Sequence, residues 1–519
     1  MRHRLLVPSA AAAAAFLLLA VPASAADGTP GAPGIGDSYY PDAGNGGYDV
    51  SHYDLRLKYQ PKNDRLEGTA TITATTTQAL SRFNLDLLLD VSDVLVNGKK
   101  AAFKKTGTHE LEITPAASLP EGKQITVVVR YSGTPSAVKV NGSSAWQRTP
   151  DGGIAAQEPE SAAWWFPSND HPRDKATYDI SVSVPDGVQA ISNGVLASKT
   201  SKLGWTRWNW RSTKPQASYL TTLAVGKFEI TTDTTSNGLP VINAYSKDLG
   251  DNLEPAKASV ERSAEVIDWE STVFGPYPFT AVGGYVPNVP THFALETQTR
   301  PFYSPAQFAN GGNVSVVVHE LAHQWFGDSV SVKNWRDIWV NEGFASYAQW
   351  LWSEKEGEGT AQELADYTYA LYPADDKFWT VKPADPGADK QFDSAVYQRG
   401  AVALQALRNT VGDKVFFETL KGWTAKNRYG NGSVQDFVAH AEQVSGKKLK
   451  PLFDTWLFTA HKPSATEAAK AGIGLPAKAG AKAGAKATAR TGGASLAAKK
   501  PARPASWPKI QAALRTHGH

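Results

Sequence analysis

The sequence predicts an α+β chain, an antiparallel β-sandwich-like domain followed by a mostly α domain. Three observations carry this expectation. Between Tyr48 and Asp233, short runs rich in β-branched and aromatic residues are separated by turn dipeptides. From about residue 250 the apolar residues recur with the period of a helix. After Thr459 the composition collapses into Ala, Lys, Gly and Pro.

Taken in order, residues 1–26 read as an export signal. Arg2 and Arg4 precede an apolar run from Leu5 to Val21, and Ala23-Ser24-Ala25 offers small residues for cleavage. The run is short for a spanning helix, and no later stretch is long and apolar enough to cross a bilayer. A secreted, extracellular protein is expected. Residues 27–47 are rich in Gly and Pro and read as a flexible lead-in. Residues 48–233 form the β-rich domain, with strands in YDLRLKY, TATITATT, VSDVLVNG, QITVVVRYSG and YDISVSVP. Turns fall at Asn97-Gly98, Asp151-Gly152 and Asn193-Gly194.

Residues 234–460 form the α-rich domain. Helices are expected at 256–275, 311–326, 341–354, 361–371, 395–411, 434–444 and 450–458, with a short strand at 282–287. Residues 461–519 hold 11 Lys/Arg against the single acidic Glu467. Such a tail buries too little apolar surface to offset its ordering entropy. It is expected to be disordered, with at most weak adhesion to anionic polymers. No nucleic-acid site is required, and a monomer is expected.

The chain has 519 residues and no cysteine. Disulfides, thiolate metal sites and a cysteine nucleophile are excluded. A metal must be held by histidine and carboxylate, and SVVVHELAHQWFGDS (315–329) supplies them. His319 and His323 lie four apart, on one face of a helix, and each can offer one nitrogen to the same ion. Glu342, at the start of the next helix, is the candidate third ligand. These donors favour zinc, one ion per chain. Glu320 sits beside the first ligand and takes the general-base position. Leaving two imidazoles and a carboxylate to converge in apolar surroundings without a cation would be costly.

With these residues placed, the chain resembles the gluzincin aminopeptidases (peptidase family M1), kin of aminopeptidase N and leukotriene hydrolase. HELAHQWFGD and WVNEGFASY match the family's zinc segments. YDVSHYDLRLKY, WWFPSNDHPRDKATYDISVSVP, FGPYPF and LFDTWL extend the likeness from about Tyr48 to Thr459. The resemblance implies a thermolysin-like zinc catalytic domain, with His319, His323 and Glu342 as ligands and Glu320 as base. It also implies a secreted member without the large C-terminal helical domain of longer relatives, and so a site more open on one side.

The family grips the substrate α-amine with a G-A-M-E-N segment. Here FALETQTR matches it, so Ala294, Leu295 and Glu296 fall on A-M-E, while Phe293 and Thr297 replace the glycine and asparagine. A second amine contact falls by the same resemblance on Glu158. An oxyanion donor is needed as the carbonyl is attacked, and the family's Y-x-[KR]-G segment puts it on Tyr397. The expected activity is a zinc-dependent aminopeptidase acting on peptides with a free N-terminus. An endo-acting zinc protease, a leukotriene-hydrolase-like epoxide activity and a non-catalytic peptide-binding protein on the same scaffold stay open.

Overall fold

The computed structural model describes residues 28–474 and 501–514. The expected export signal lies outside them. The strand propensity of the first half is realised as an eight-stranded sheet. In spatial order its strands are Val195–Lys202, Trp205–Ala217, Lys175–Pro185, Tyr48–Gln60, Arg65–Thr76, Gln124–Gly133, Asp90–Val96 and Lys99–Lys100. Side-chain alternation decides which face turns inward. Along Tyr48–Gln60, Tyr53, Leu55, Leu57 and Tyr59 are buried, while Asp54, Arg56 and Lys58 are not.

Two four-stranded sheets complete the same core. One contributes Phe83, Leu85, Leu111 and Ile113, the other Trp146, Ile154, Ile191 and Leu223. Asn97 and Gly98 both have positive φ (51° and 75°), as a two-residue hairpin turn requires. The large sheet is not wholly antiparallel, which corrects the expectation. Tyr48–Gln60 and Lys175–Pro185 run parallel, with Leu55 beside Ile180. Parallel neighbours need a long return, and the chain between them builds most of the domain on the way.

The lead-in at 27–47 was expected to be flexible, and from residue 28 onward the structure corrects this. Thr29–Pro30 pairs with Leu80–Asp86. Asp37 accepts hydrogen bonds from the backbone N–H groups of Tyr39 (2.8 Å), Tyr40 (3.2 Å) and Trp335 (2.7 Å), and from His171 Nε2 (3.1 Å). Burial by itself would raise the Asp37 carboxyl. The four donors outweigh it and hold the pKa at about 2. Tyr39 and Tyr40 donate to Asp385 and Gln391. Gly and Pro deny this segment regular structure but not tertiary anchors, so it straps the two domains together.

In the second half, the strands Phe228–Thr234, Pro240–Ser246, Val282–Val286, Phe302–Tyr303 and Ala294–Leu295 form a five-stranded sheet, in that order. The boundary expected at 233/234 falls inside its first hairpin, so this sheet starts at Phe228. The helices that position the site are α1 (Leu253–Val260), α2 (Ser263–Phe274), α3 (Val314–Ala322), α4 (Trp339–Glu356), α5 (Ala361–Leu371), α6 (Ser394–Val411), α7 (Asp413–Lys426) and α8 (Val434–Ser445). The single helix expected at 256–275 is two, broken where Ser263 Oγ bonds Val260 O at 2.6 Å. Helix α7 was not expected. Its buried face is Phe416, Thr419, Leu420 and Trp423, and the threonine dilutes an otherwise regular spacing.

Helix α4 is buried from Trp339 to Ser353 and runs between α3 and α6. Glycine permits the close approach to α6. A Cβ on Gly400 would lie 2.6 Å from Trp339 Cδ1 and 3.2 Å from Gly343 Cα.

Part of the tail expected to be disordered at 461–519 is also ordered. Ala465–Lys470 is a helix with a Ser464/Glu467 capping box. Trp507–Leu514 is another, with the Trp507 ring 4.9 Å from that of Tyr367 and Ser506 Oγ 2.7 Å from Ser353 Oγ. A few apolar residues, Ala468, Ile473, Trp507 and Ile510, find grooves to fill, which average composition does not reveal. Residues 475–500 and 515–519 lie outside the described residues.

Candidate metal centre and active site

The apolar residues Val316, Val317, Val318, Leu321 and Ala322 pack α3 into the core, and it is buried from Ser315 to Ala322. His319 and His323 therefore emerge one turn apart on a helix packed into the core. His323 caps the helix in helical geometry (φ −58°, ψ −24°). Glu342, in the first turn of α4, brings Oε2 to 3.2 Å from His319 Nε2 and 3.4 Å from His323 Nε2. Four-coordinate zinc at roughly 2.0–2.2 Å from each donor would place its donors roughly 3.3–3.5 Å apart.

The outer nitrogens are fixed as a metal site needs. Gln349 donates its amide to Ser315 O (3.1 Å) and Oγ (2.9 Å), which turns its own oxygen toward His319 Nδ1 (3.1 Å). His323 Nδ1 lies 2.9 Å from Phe326 O. Both Nδ1 atoms thus act as donors and both Nε2 lone pairs face Glu342. The donor set fits zinc.

Burial lowers the His319 imidazole, favouring its neutral form. Burial pushes the Glu342 carboxyl up, but His323 and His319 more than offset it and hold it well below the ordinary range. For His323, burial is outweighed by Glu342 and Glu296, which raise it. Glu158, Glu296, Glu320 and Glu342 crowd around two imidazoles, and the site is short of positive charge.

The remaining residues singled out from the sequence are brought to this point as well. Ala294, Leu295, Glu296 and Glu158 line a small pocket with His323, Glu342 and Tyr397. Ala294–Leu295 is the outer strand of its sheet, and Glu296 follows directly. Burial, reinforced by Glu342 and Glu320, raises Glu296 to about 7 despite His323. Burial and then Glu296 push Glu158 well above its ordinary value. The Tyr397 ring lies against His319, with centroids 6.0 Å apart and planes 23° apart. Burial, then Glu342, raises its phenol well above 10, so the hydroxyl keeps its proton. Glu320 is buried beside the ligands. A cavity of about 920 Å³, walled by Tyr40, Glu158, Phe293, Asp389 and Phe392, leads away from the pocket.

The sequence reading missed the supporting residues. Gln349 lies two turns beyond Glu342 on α4, so helical spacing alone flags it. Tyr219 donates to Glu296 Oε1 at 3.0 Å, and Gln324 Nε2 donates to Glu296 O at 3.2 Å. Nothing local to Tyr219 announces its role. Arg399 does not enter the site. It donates to the carbonyls of Trp379, Val381, Trp456 and Thr459 and pins α6.

The fold and the site define a zinc metallopeptidase. Residues 50–220 match the peptidase M1 N-terminal domain, and residues 302–456 match the peptidase family M1 domain. A crystal structure of an M1 zinc metallopeptidase variant from Deinococcus radiodurans, bound to a Tyr-Ser-Ala substrate, is 30% identical. The match covers 82% of this chain and 97% of that one, with a TM-score of 0.73. Glutamyl aminopeptidase from Bos taurus is 29% identical over 58% of this chain and 33% of its own length. Aminopeptidase M1 from Arabidopsis thaliana is 26% identical over 78% of this chain and 49% of its own. The chain spans between a third and a half of these two relatives' length. It belongs to the M1 peptidase family.

Proposed function

We propose that the protein is a secreted aminopeptidase that removes single residues from the free N-terminus of peptides. The observation that carries this reading is the pair of carboxylates, Glu296 and Glu158, set beside the metal donors in one small pocket. An endopeptidase needs passage for chain on both sides of the scissile bond. Two buried carboxylates instead favour a cation at that point, and a peptide α-ammonium is such a cation.

In this reading Glu296 and Glu158 hold the α-ammonium, and Tyr219 orients Glu296. The open edge of Ala294–Leu295 hydrogen-bonds the substrate backbone as an added strand does. Zinc held by His319, His323 and Glu342 supplies a Lewis acid for the scissile carbonyl and acidifies water. Tyr397 donates to the oxygen on which negative charge develops. Glu320 takes a proton from the attacking water and delivers it to the leaving amine. The Tyr-Ser-Ala substrate of the D. radiodurans relative supports a peptide substrate.

The test is a panel of aminoacyl fluorogenic substrates and matched peptides, free or Nα-acetylated. Cleavage should be confined to free amines in wild type, and Glu296→Ala should erode that preference. Equal cleavage of acetylated peptides would assign the site to an endopeptidase. Export is supported by the N-terminal Arg2, Arg4 and Ala23-Ser24-Ala25 pattern. N-terminal sequencing of protein recovered from culture medium should then begin at Asp27, and an intact Met1 would refute it.

A further inference from the structure

A second cluster of metal-type donors sits in the β-rich domain, away from the catalytic centre. Asp86 Oδ1, His109 Nε2 and Glu110 Oε1 lie within 4.8 Å of one another. From His109 Nε2 it is 3.5 Å to Asp86 Oδ1, 3.8 Å to Glu110 Oε1 and 3.0 Å to the carbonyl oxygen of Asp42. The outer oxygen of each carboxylate is held from behind. Asp86 Oδ2 accepts from Asn45 Nδ2 (3.1 Å) and Asp170 N (2.7 Å), and Glu110 Oε2 accepts from Asn84 Nδ2 (2.8 Å).

The inner oxygens, Asp86 Oδ1 and Glu110 Oε1, have no hydrogen-bond donor, although the residues are 1% and 7% exposed. Both are aimed at the same imidazole nitrogen. A proton on that nitrogen can point along only one line. The Asp42 carbonyl, at 3.0 Å, takes it, and 3.5 and 3.8 Å are too long for the others to share it. A spherical cation has no such restriction and satisfies all four donors together.

We propose that Asp86, His109, Glu110 and the Asp42 carbonyl form a second divalent-cation site, of zinc type because an imidazole is among the donors. Purely oxygen-seeking calcium would want six or more oxygen ligands. His109 also lines a cavity of about 400 Å³ that gives an ion access from solvent. Tyr40, Ser143, Gln157 and Pro159 line both that cavity and the larger one beside the catalytic pocket. An ion here would tie Asp42 of the strap to the β-rich domain, just behind the wall that Tyr40 gives the substrate cavity. Its role is structural, and it is independent of the aminopeptidase assignment.

The experiment is metal analysis of the full chain after dialysis against micromolar zinc and removal of excess. Wild type should carry two equivalents of zinc, Glu110→Gln and His109→Ala one, and His323→Ala one. Cleavage of an aminoacyl substrate by Glu110→Gln should stay within about twofold of wild type. A single equivalent in wild type, or two in folded His109→Ala, overturns the proposal. Should those variants fail to fold, anomalous diffraction at the zinc edge from wild-type crystals decides it. Peaks at both His319 and His109 support a second site, and a peak at His319 alone ends it.

Discussion

The two corners of the active site are built in opposite ways. The metal corner takes its donors from two packed helices, α3 and α4, in a short span of chain. The corner proposed to hold the substrate amine takes Glu296 from the end of an outer strand and Glu158 from a loop of the other domain. Electrostatics differ as sharply. Glu342 is held well below the ordinary carboxyl range by its imidazole neighbours, while burial raises Glu296 to about 7 and pushes Glu158 well above its ordinary value. One corner is completed by the metal that its donors are arranged to hold. In the proposed function the other is completed by the α-ammonium that the substrate brings. Rigidity belongs where chemistry is fixed, and an uncompensated carboxylate pair belongs where the ligand must be recognised.

The strongest way to break this contrast is at the metal corner. His323→Ala should lose the catalytic zinc and all measurable turnover, read by metal analysis and aminoacyl-substrate assay together. Glu320→Gln should keep its zinc while kcat falls roughly 10²–10⁴-fold, the usual contribution of a general acid–base group. Unchanged turnover would move the base elsewhere. Tyr397→Phe, which removes one donor and leaves the ring against His319, should lower kcat roughly 10²–10³-fold with little change in KM.

At the amine corner the loss should be smaller and of another kind. Glu296→Gln should reduce kcat/KM for free-amine substrates roughly 10–100-fold, the worth of a charged hydrogen bond. The loss should fall chiefly on KM, and a fall in kcat with KM unchanged would place Glu296 in the chemistry instead. Gly400→Ala, one turn beyond Tyr397 on α6, forces α4 and α6 apart and should cost about 1–3 kcal/mol in denaturant unfolding.

The smallest effect is expected at the strap. Asp37 has a folded pKa of about 2, below the ordinary 3.8. The native state therefore binds fewer protons in that interval, and the stabilisation is complete above about pH 4 and drains away as pH falls toward 2. Asp37→Asn should differ most from wild type in Tm at neutral pH and least near pH 2. A constant difference across that range would show that ionisation plays no part.

The same contrast explains what was legible in the sequence. His319, His323 and Glu320 are tied by helical spacing, so residues alone identified them, and Glu342 needed only a returning helix. Glu296, Glu158 and Tyr397 came through family resemblance, because no periodicity links an outer strand, a loop and a distant helix. Tyr219 and Gln324 stayed invisible, being supports whose partners are set by tertiary packing. In the fold, alternation and turn dipeptides marked the large sheet, but the parallel pairing of Tyr48–Gln60 with Lys175–Pro185 is a long-range choice that alternation does not encode. The strap and the ordered parts of the tail were misread because composition averages over single anchors such as Asp37 and Trp507.

The anchoring of Arg399 has a practical consequence. This guanidinium clamps α6 to the carbonyls of Trp379 and Val381, and the Asp393 side chain accepts from Ala395 N at the helix start. The intervening stretch supplies Asp389, Phe392 and their neighbours to the cavity wall but no donor to the metal. Phe392 also lines the small pocket with His323 and Tyr397, and Asp385, Gly387 and Gln391 hold the strap, so exchanges confined to Ala388, Asp389 and Lys390 should reshape the cavity wall and leave the metal donors and the strap anchors in place.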